Sequence, residues 1–296
     1  MGVPRYHWRV MRLHSRGSGF TLIEIVVVIV ILAILIAMSA ALTRGVIAGQ
    51  KRSLTVTRIA TVDAALVQFV TQQKRLPCPA NGTLPSTDVA AGTEMRVANV
   101  CSPTNQQDGV VPWRALGLAE SDATDGWDRR LTYRTDPELA KLGGMDMSFC
   151  DAAGAETTGT PPTVCNVACT SAAPTNCTPP PRFLLTRGLT VKNIAGTTIM
   201  DPSIATPHTG AAYVVISHGE TGGGGYLNTG QLQASAVGDG TEEMKNWASL
   251  PYAGAATYYV DDSLAEGGGA AHYDDLLSRP SVLNVVTKAG LGPRSH

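Results

Sequence analysis

The chain has 296 residues, enough for one or two domains with a substantial buried core. Charged residues make up 16% of it, which is low for a soluble cytosolic protein, while 31 glycines and 18 prolines predict many turns. The formal net charge of −1 shows no basic excess, so composition gives no indication of nucleic-acid binding.

Positive charge is concentrated at the N-terminus. Residues 1–19 contain four arginines and no acidic residue: Arg5, Arg9, Arg12 and Arg16. Without these four, the 23 basic residues of the chain fall to 19 against 24 acidic ones, a net charge of −5. A positive segment before an apolar run is typical of an export signal.

The apolar run covers residues 20–42, and Glu24 is its one charged residue. A helix over this run would be about 35 Å long, enough to cross a hydrocarbon core of about 30 Å. Many of its residues are β-branched, but a lone segment in lipid satisfies its backbone hydrogen bonds only as a helix. The arginines before it predict a cytoplasmic N-terminus and an external C-terminal part.

Glu24 is the unusual residue in this segment. A carboxylate inside a membrane costs roughly 2.5–3.5 kcal/mol on insertion scales. Its place in the first helical turn recovers only about 0.3–1 kcal/mol through the helix dipole. Glu24 therefore requires a positively charged partner.

The run from Gly19 to Glu24, Gly-Phe-Thr-Leu-Ile-Glu after a short basic leader, resembles the prepilin signature of type IV pilins and type II secretion pseudopilins. The resemblance implies that a membrane-bound prepilin peptidase cleaves between Gly19 and Phe20. It also implies that a methyltransferase activity modifies the new amino group of Phe20. In the family the glutamate pairs with the N-terminal ammonium of a neighbouring subunit, which would offset the desolvation of Glu24.

Two other interpretations of the N-terminus stay open. A secretory signal peptide cleaved near residues 39–40 explains the arginines and the apolar run. It does not explain the carboxylate, and the run is longer than the usual 7–15 residues. An anchor that is never processed is the third interpretation. The N-terminal sequence of the mature protein decides among them.

Apolar residues then recur at helical spacing: Val56, Ile59, Val62, Leu66 and Phe69. The helix is expected to continue to about Arg75, where Pro77 and Pro79 stop it. The predicted organisation is a leader at 1–19, a transmembrane helix at 20–42, its amphipathic continuation at 43–76 and an extracytoplasmic head at 77–296. The predicted fold class is α+β, with the long N-terminal helix packed on an antiparallel β-sheet and disulfides in the loops.

Within the head, residues 77–110 have the composition of a loop. The stretch from Asp125 to Tyr133 predicts a turn leading into a strand. It is similar to a stretch of major pseudopilins, with Asp128 where they have glycine. Further strands are predicted at 183–186, 190–194, 212–217 and 257–260. The tail at 273–288 is either a helix interrupted near Pro280 or a closing strand.

Six cysteines are candidates for disulfides, because an even count behind an export signal favours them over reduced thiols. They allow 15 pairings. Cys78 and Cys101 could tie the 77–110 loop, and four lie in 150–181, which is predicted to be a surface insertion. A zinc knuckle over residues 165–177 lacks a fourth ligand nearby. The six are Cys78, Cys101, Cys150, Cys165, Cys169 and Cys177.

Two other groups could carry chemistry. His218 and Glu220 begin a glycine-rich stretch that lacks the ending of a phosphate loop, and two ligands do not make a metal site. A mobile loop after a buried strand is the favoured interpretation. Asp122, Asp125 and Asp128 offer oxygen ligands that calcium would accept, against a plain solvated turn. Apart from calcium no cofactor or metal is expected, and no residues form a catalytic arrangement.

The predicted function is therefore assembly, not catalysis. The chain is expected to be a minor pilin or pseudopilin, anchored in the bacterial inner membrane with its head in the periplasm, and to join other pilins in a type IV pilus or type II secretion pseudopilus. The alternative is a membrane-anchored binding protein or adhesin with a pilin-type signal, whose segment 150–181 recognises a partner.

Overall fold

The computed structural model describes residues 21–102, 106, 108–155, 161–203, 210–234, 240–248, 258–265 and 269–296, without the side chains of 37–44, 247–248 and 270. It divides into two compact units, Met1–Gly49 and Gln50–His296. The predicted leader, with Gly19 and Phe20, lies outside the described residues.

Helix α1 spans Leu22–Gln73. In the second unit its buried apolar side chains are Ile59, Val62, Leu66 and Val70, separated by three or four positions. This spacing places them on one face of the helix, as predicted for Ile59, Val62 and Leu66, but Val56 of the predicted face is 53% exposed. The helix ends two residues before the predicted Arg75, because Lys74 has a left-handed φ of 55°.

The head contains a five-stranded antiparallel sheet in the order β1-β4-β6-β9-β12. Strand β9 is the fourth of the five and pairs with β6 and β12, and all five of its residues are buried. The strands of this sheet are β1 (Ala80–Asn81), β4 (Gly109–Val110), β6 (Thr132–Thr135), β9 (Tyr213–Ser217) and β12 (Leu276–Ser278).

The other described strands form smaller sheets of two or three strands. Strand β10 pairs with β5, β2 pairs with β3, and β7 pairs with β8 and, in parallel, with β11. These strands are β2 (Arg96–Val97), β3 (Val100–Cys101), β5 (Arg129–Arg130), β7 (Val191–Lys192), β8 (Thr198–Met200), β10 (Tyr226–Leu227) and β11 (Tyr259–Val260). The short helices are α2 (Pro137–Ala140), α3 (Pro180–Leu184), α4 (Lys245–Ala248) and α5 (Val282–Lys288).

Both faces of strand β9 are covered. Val215 belongs to the main core, together with Leu66 of α1 and Val285 of α5. Val214 and Ile216 point to the opposite face and belong to a second cluster. Because side chains alternate along a strand, burial on both faces explains why Val214, Val215 and Ile216 are apolar without alternation.

Three of the four predicted strands are confirmed, although each is shorter than predicted. Residues 190–194 contain β7, 212–217 contain β9, and 257–260 contain β11, with residue 257 outside the described part. The prediction of a strand at 183–186 is wrong, because Phe183 and Leu184 lie in helix α3. Pro180 opens that helix, where its fixed φ and missing N–H are tolerated.

The tail and the 77–110 segment both differ from their simple predictions. The two alternatives for the tail occur in succession: β12 is followed by Pro280 and then by α5. The Ser281 side chain caps α5 by accepting from the Asn284 N–H at 3.2 Å. The segment 77–110 is not a loop throughout, because it contains β1, β2, β3 and β4.

All six cysteines form disulfides, as predicted: Cys78–Cys101, Cys150–Cys165 and Cys169–Cys177. This pairing leaves no thiolate for a zinc knuckle. The segment 150–181 is not wholly a surface insertion, since Cys150 and Cys165 belong to the main core. Its Val164 and Val167 side chains are exposed.

Candidate functional site

Glu24 lies in the first turn of α1, and its N–H donates to the Thr21 carbonyl at 3.1 Å. Within the described part of the chain, its carboxylate makes no hydrogen bond or ion pair. Gly19 and Phe20, the predicted cleavage and methylation residues, fall outside that part. The Glu24 side chain is exposed and thus accessible to a group from another molecule.

The apolar side chains that follow Glu24 are exposed on every face of the helix. Ile25 is 50% exposed, Val28 50% and Ile36 66%. A helix that is apolar all round requires an apolar surrounding, which lipid or other apolar helices can supply.

By length and composition alone, a different segment of the helix is able to span a membrane. Among the residues whose side chains are described, this segment is Gly45–Gln73, with a mean hydropathy of 1.3, while Leu22–Ile36 counts as a shorter apolar helix. The core helix of a soluble protein can have the same length and composition. In this segment Val62, Leu66 and Val70 are fully buried in the head. The span at residues 20–42 therefore stays a prediction.

The turn before β5 is built around Asp125, which is 1% exposed. Its Oδ1 accepts from the backbone N–H groups of Trp127 and Arg129, both at 2.9 Å. Its Oδ2 accepts from Ser217 Oγ at 2.8 Å. Burial raises the pKa of Asp125 above its ordinary value, although the hydrogen bonds from these donors oppose the rise. The carboxylate thus joins the predicted turn to the end of β9.

The other two calcium candidates have separate environments. Asp122 Oδ2 accepts from the Ala119 N–H at 3.1 Å. Asp128 is exposed and has a left-handed φ of 65°. Calcium binding by these aspartates stays a prediction.

The same turn also contacts α1. Arg58 Nη1 donates to the carbonyls of Thr124 and Asp125 at 2.9 Å, and the Gly126 N–H donates to Thr55 Oγ1 at 2.9 Å. A Cβ at Gly126 would lie 2.4 Å from the Lys51 carbonyl oxygen. Only glycine therefore allows this close approach.

His218 and Glu220 have different environments. His218 is 2% exposed, and its Nε2 is 2.8 Å from Thr132 Oγ1. Burial, with smaller contributions from Arg134 and Arg129, lowers the pKa of His218 to about 3. At neutral pH the ring is therefore uncharged, and the 3.7 Å separation between its Nδ1 and Asp275 Oδ1 is not an ion pair. Glu220 is exposed.

The glycine-rich segment 218–225 is a loop after a buried strand, as predicted. Side chains from distant parts of the chain hold its backbone by hydrogen bonds, which argues against the predicted mobility. Asp274 Oδ2 accepts from the N–H groups of Glu220 and Thr221, both at 2.8 Å. Arg129 donates to the Gly219 carbonyl and, at 3.1 Å, to that of Glu220. No local pattern in the sequence predicts these contacts, since Arg129 and Asp274 are distant from the loop along the chain.

Comparison with known families places the N-terminal features in one class. Residues 14–40 match the prokaryotic N-terminal methylation motif, the prepilin-type signature of type IV pilins and pseudopilins. This match supports a type IV pilin-like protein and implies processing by a prepilin peptidase. With the apolar N-terminal helix, it is consistent with anchoring in the inner membrane. Among curated proteins and solved structures, none matches the chain significantly.

Proposed function

We propose that the chain is a pilin-like subunit, either a minor pilin or a pseudopilin. After leader cleavage and methylation of Phe20, it assembles with other pilins in a type IV pilus or a type II secretion pseudopilus. The observation that carries the proposal is the methylation motif over residues 14–40, directly joined to a helix with exposed apolar side chains on all faces.

Glu24 sets the axial register of the subunit in the filament. Its carboxylate pairs with the methylated Phe20 ammonium of a neighbouring subunit inside an apolar helix bundle. The low dielectric of that bundle strengthens the attraction between the two charges, while an unpaired Glu24 there costs several kcal/mol. A subunit shifted along the filament axis loses the pair and is disfavoured.

The chain acts as a substrate of the prepilin peptidase and the methyltransferase, not as an enzyme. The environments of His218 and Glu220 support this proposal, because the histidine is buried and uncharged while the glutamate is exposed.

Replacing Glu24 tests the assembly mechanism. Glu24→Ala should reach the membrane in wild-type amounts but be depleted from filaments that are sheared off and collected. Glu24→Asp keeps the charge and should be incorporated better than Glu24→Ala. Immunoblots of the membrane and sheared fractions measure both. Wild-type incorporation of Glu24→Ala would refute the register mechanism.

A second candidate function is an anchored adhesin or binding protein. The exposed Val164 and Val167, near the Cys150–Cys165 and Cys169–Cys177 disulfides, favour it because they offer an apolar contact surface. Copurification with other pilins after shearing supports the subunit, whereas solitary residence in the membrane supports the adhesin.

A further inference from the structure

Three side chains from separate parts of the head converge beside strand β12. Glu243 lies just before α4, and His272 and Asp274 lie just before β12. One ligand atom from each lies within 4.8 Å of the other two. Glu243 Oε2 and His272 Nδ1 are 3.0 Å apart. Both carboxylate residues are 4% exposed.

Three backbone N–H groups are directed at the Glu243 carboxyl group. Glu243 Oε1 accepts from the N–H groups of Asp274 and Asp275 at 2.5 and 3.2 Å. Its Oε2 accepts from the Gly240 N–H at 3.1 Å.

Asp274 is held in the same way. Its Oδ2 accepts from two N–H groups of the glycine-rich loop, and its Oδ1 accepts from Thr221 Oγ1 at 3.0 Å. Arg52 donates to the backbone carbonyl of Asp274, at 2.9 Å. Within the described part of the head, the ion-pair contact of this cluster is the one between His272 Nδ1 and Glu243 Oε2, at 3.0 Å. Two buried carboxyl groups therefore lie beside one imidazole.

We propose that Glu243, His272 and Asp274 bind a divalent transition-metal ion of the zinc type. Two carboxylate oxygens and one imidazole nitrogen are a known ligand set for zinc, which they bind at about 2.0–2.2 Å and which leaves a fourth position for water. The imidazole nitrogen disfavours calcium and magnesium, since these ions take oxygen ligands. The N–H groups on both carboxylates supply the outer hydrogen bonds that orient metal ligands.

The ion would stabilise the head. It connects the segment before α4 to the segment before β12 and, through Asp274, to the loop 218–225. These segments contain few elements of regular structure. Because the ion binds only the folded head, it raises the melting temperature of the head. This role is independent of leader processing and filament assembly.

Cobalt is the probe for the test, because Co²⁺ bound in a zinc site has a measurable visible absorption. The full chain is purified in detergent, stripped with a chelator and titrated with Co²⁺. We expect one Co²⁺ per chain, displaced by Zn²⁺, and a rise in melting temperature. Affinity should fall by about tenfold or more in His272→Ala and Glu243→Gln. The control Glu242→Gln, next to Glu243 but outside the cluster, should bind Co²⁺ like the wild type.

X-ray absorption of the zinc-loaded wild-type chain identifies the ligands directly, so it tests the proposal even if a variant misfolds. The expected spectrum contains one imidazole and oxygen ligands. The proposal is overturned by the absence of stoichiometric binding, by unchanged Co²⁺ affinity in a folded His272→Ala, or by a spectrum without imidazole. Binding of Ca²⁺ but not of Co²⁺ also overturns it.

Discussion

At the scale of single residues, Asp125 and His218 show how distant parts of the head meet at the end of β9. Asp125 accepts from Ser217, and the His218 ring contacts Thr132 in β6. The local sequence predicted the turn at Asp125, since Asp-Gly is a strong turn signal. It could not identify Ser217 or Thr132 as partners, because only the folded sheet brings them close.

His218 makes the stability of the head depend on pH. The pKa of the folded residue, about 3, lies below the ordinary value of 6.5. Between these values the unfolded chain binds a proton that the folded chain does not. The free energy of unfolding therefore falls as the pH drops from 6.5 toward 3, by at most about 1.4 kcal/mol per pH unit.

His218→Gln retains a hydrogen-bonding side chain but cannot titrate. Denaturant unfolding of both proteins across this pH range isolates the histidine, because other groups contribute equally to each. The stability difference between wild type and variant should shrink toward low pH. Parallel curves would show that His218 does not titrate differently on folding.

At the scale of elements, helical periodicity predicted the amphipathic part of α1, because one face contacts the sheet along several turns. The strand predicted at 183–186 failed for a local reason. Its apolar residues suggested a buried strand, but the prolines before Phe183 favour the start of a helix. Short apolar runs do not distinguish a strand from a helical turn by periodicity alone.

Leu66 of α1 tests the packing of this helix on the head. It is fully buried, so Leu66→Ala should reduce the free energy of unfolding by about 2–5 kcal/mol. Leu54→Ala is the matched control, because Leu54 lies on the same helix and is 44% exposed. Denaturant titration of the oxidised full chain measures both. Equal effects of the two substitutions would argue against the buried face described here.

At the scale of the whole molecule, cysteine count and the export signal predicted disulfides, and the suggested Cys78–Cys101 pair is confirmed, but the pairing of the other four cysteines was not predicted. Pairing depends on which backbone segments meet in three dimensions, and 15 combinations were possible. Two of the three bridges join cysteines within segment 150–181, and the third closes the segment between α1 and β4.

The Cys78–Cys101 bridge should contribute more to stability than Cys169–Cys177. It spans 23 residues rather than 8, and the loop-entropy relation gives about 3 kcal/mol for the longer loop. Replacing both cysteines of each pair by serine and measuring thermal unfolding provides the comparison. A larger loss on removing Cys169–Cys177 would contradict this expectation.

The proposed assembly depends most on processing at the N-terminus, because it requires a Phe20 ammonium as the partner of Glu24. Intact-mass and N-terminal peptide mass spectrometry of the chain from its native membrane, without reduction, tests this directly. We predict a chain that begins at Phe20, carries one methyl group on that amine and contains three disulfides. A chain that retains Met1 and the leader arginines, or one cleaved near residues 39–40, would contradict the account.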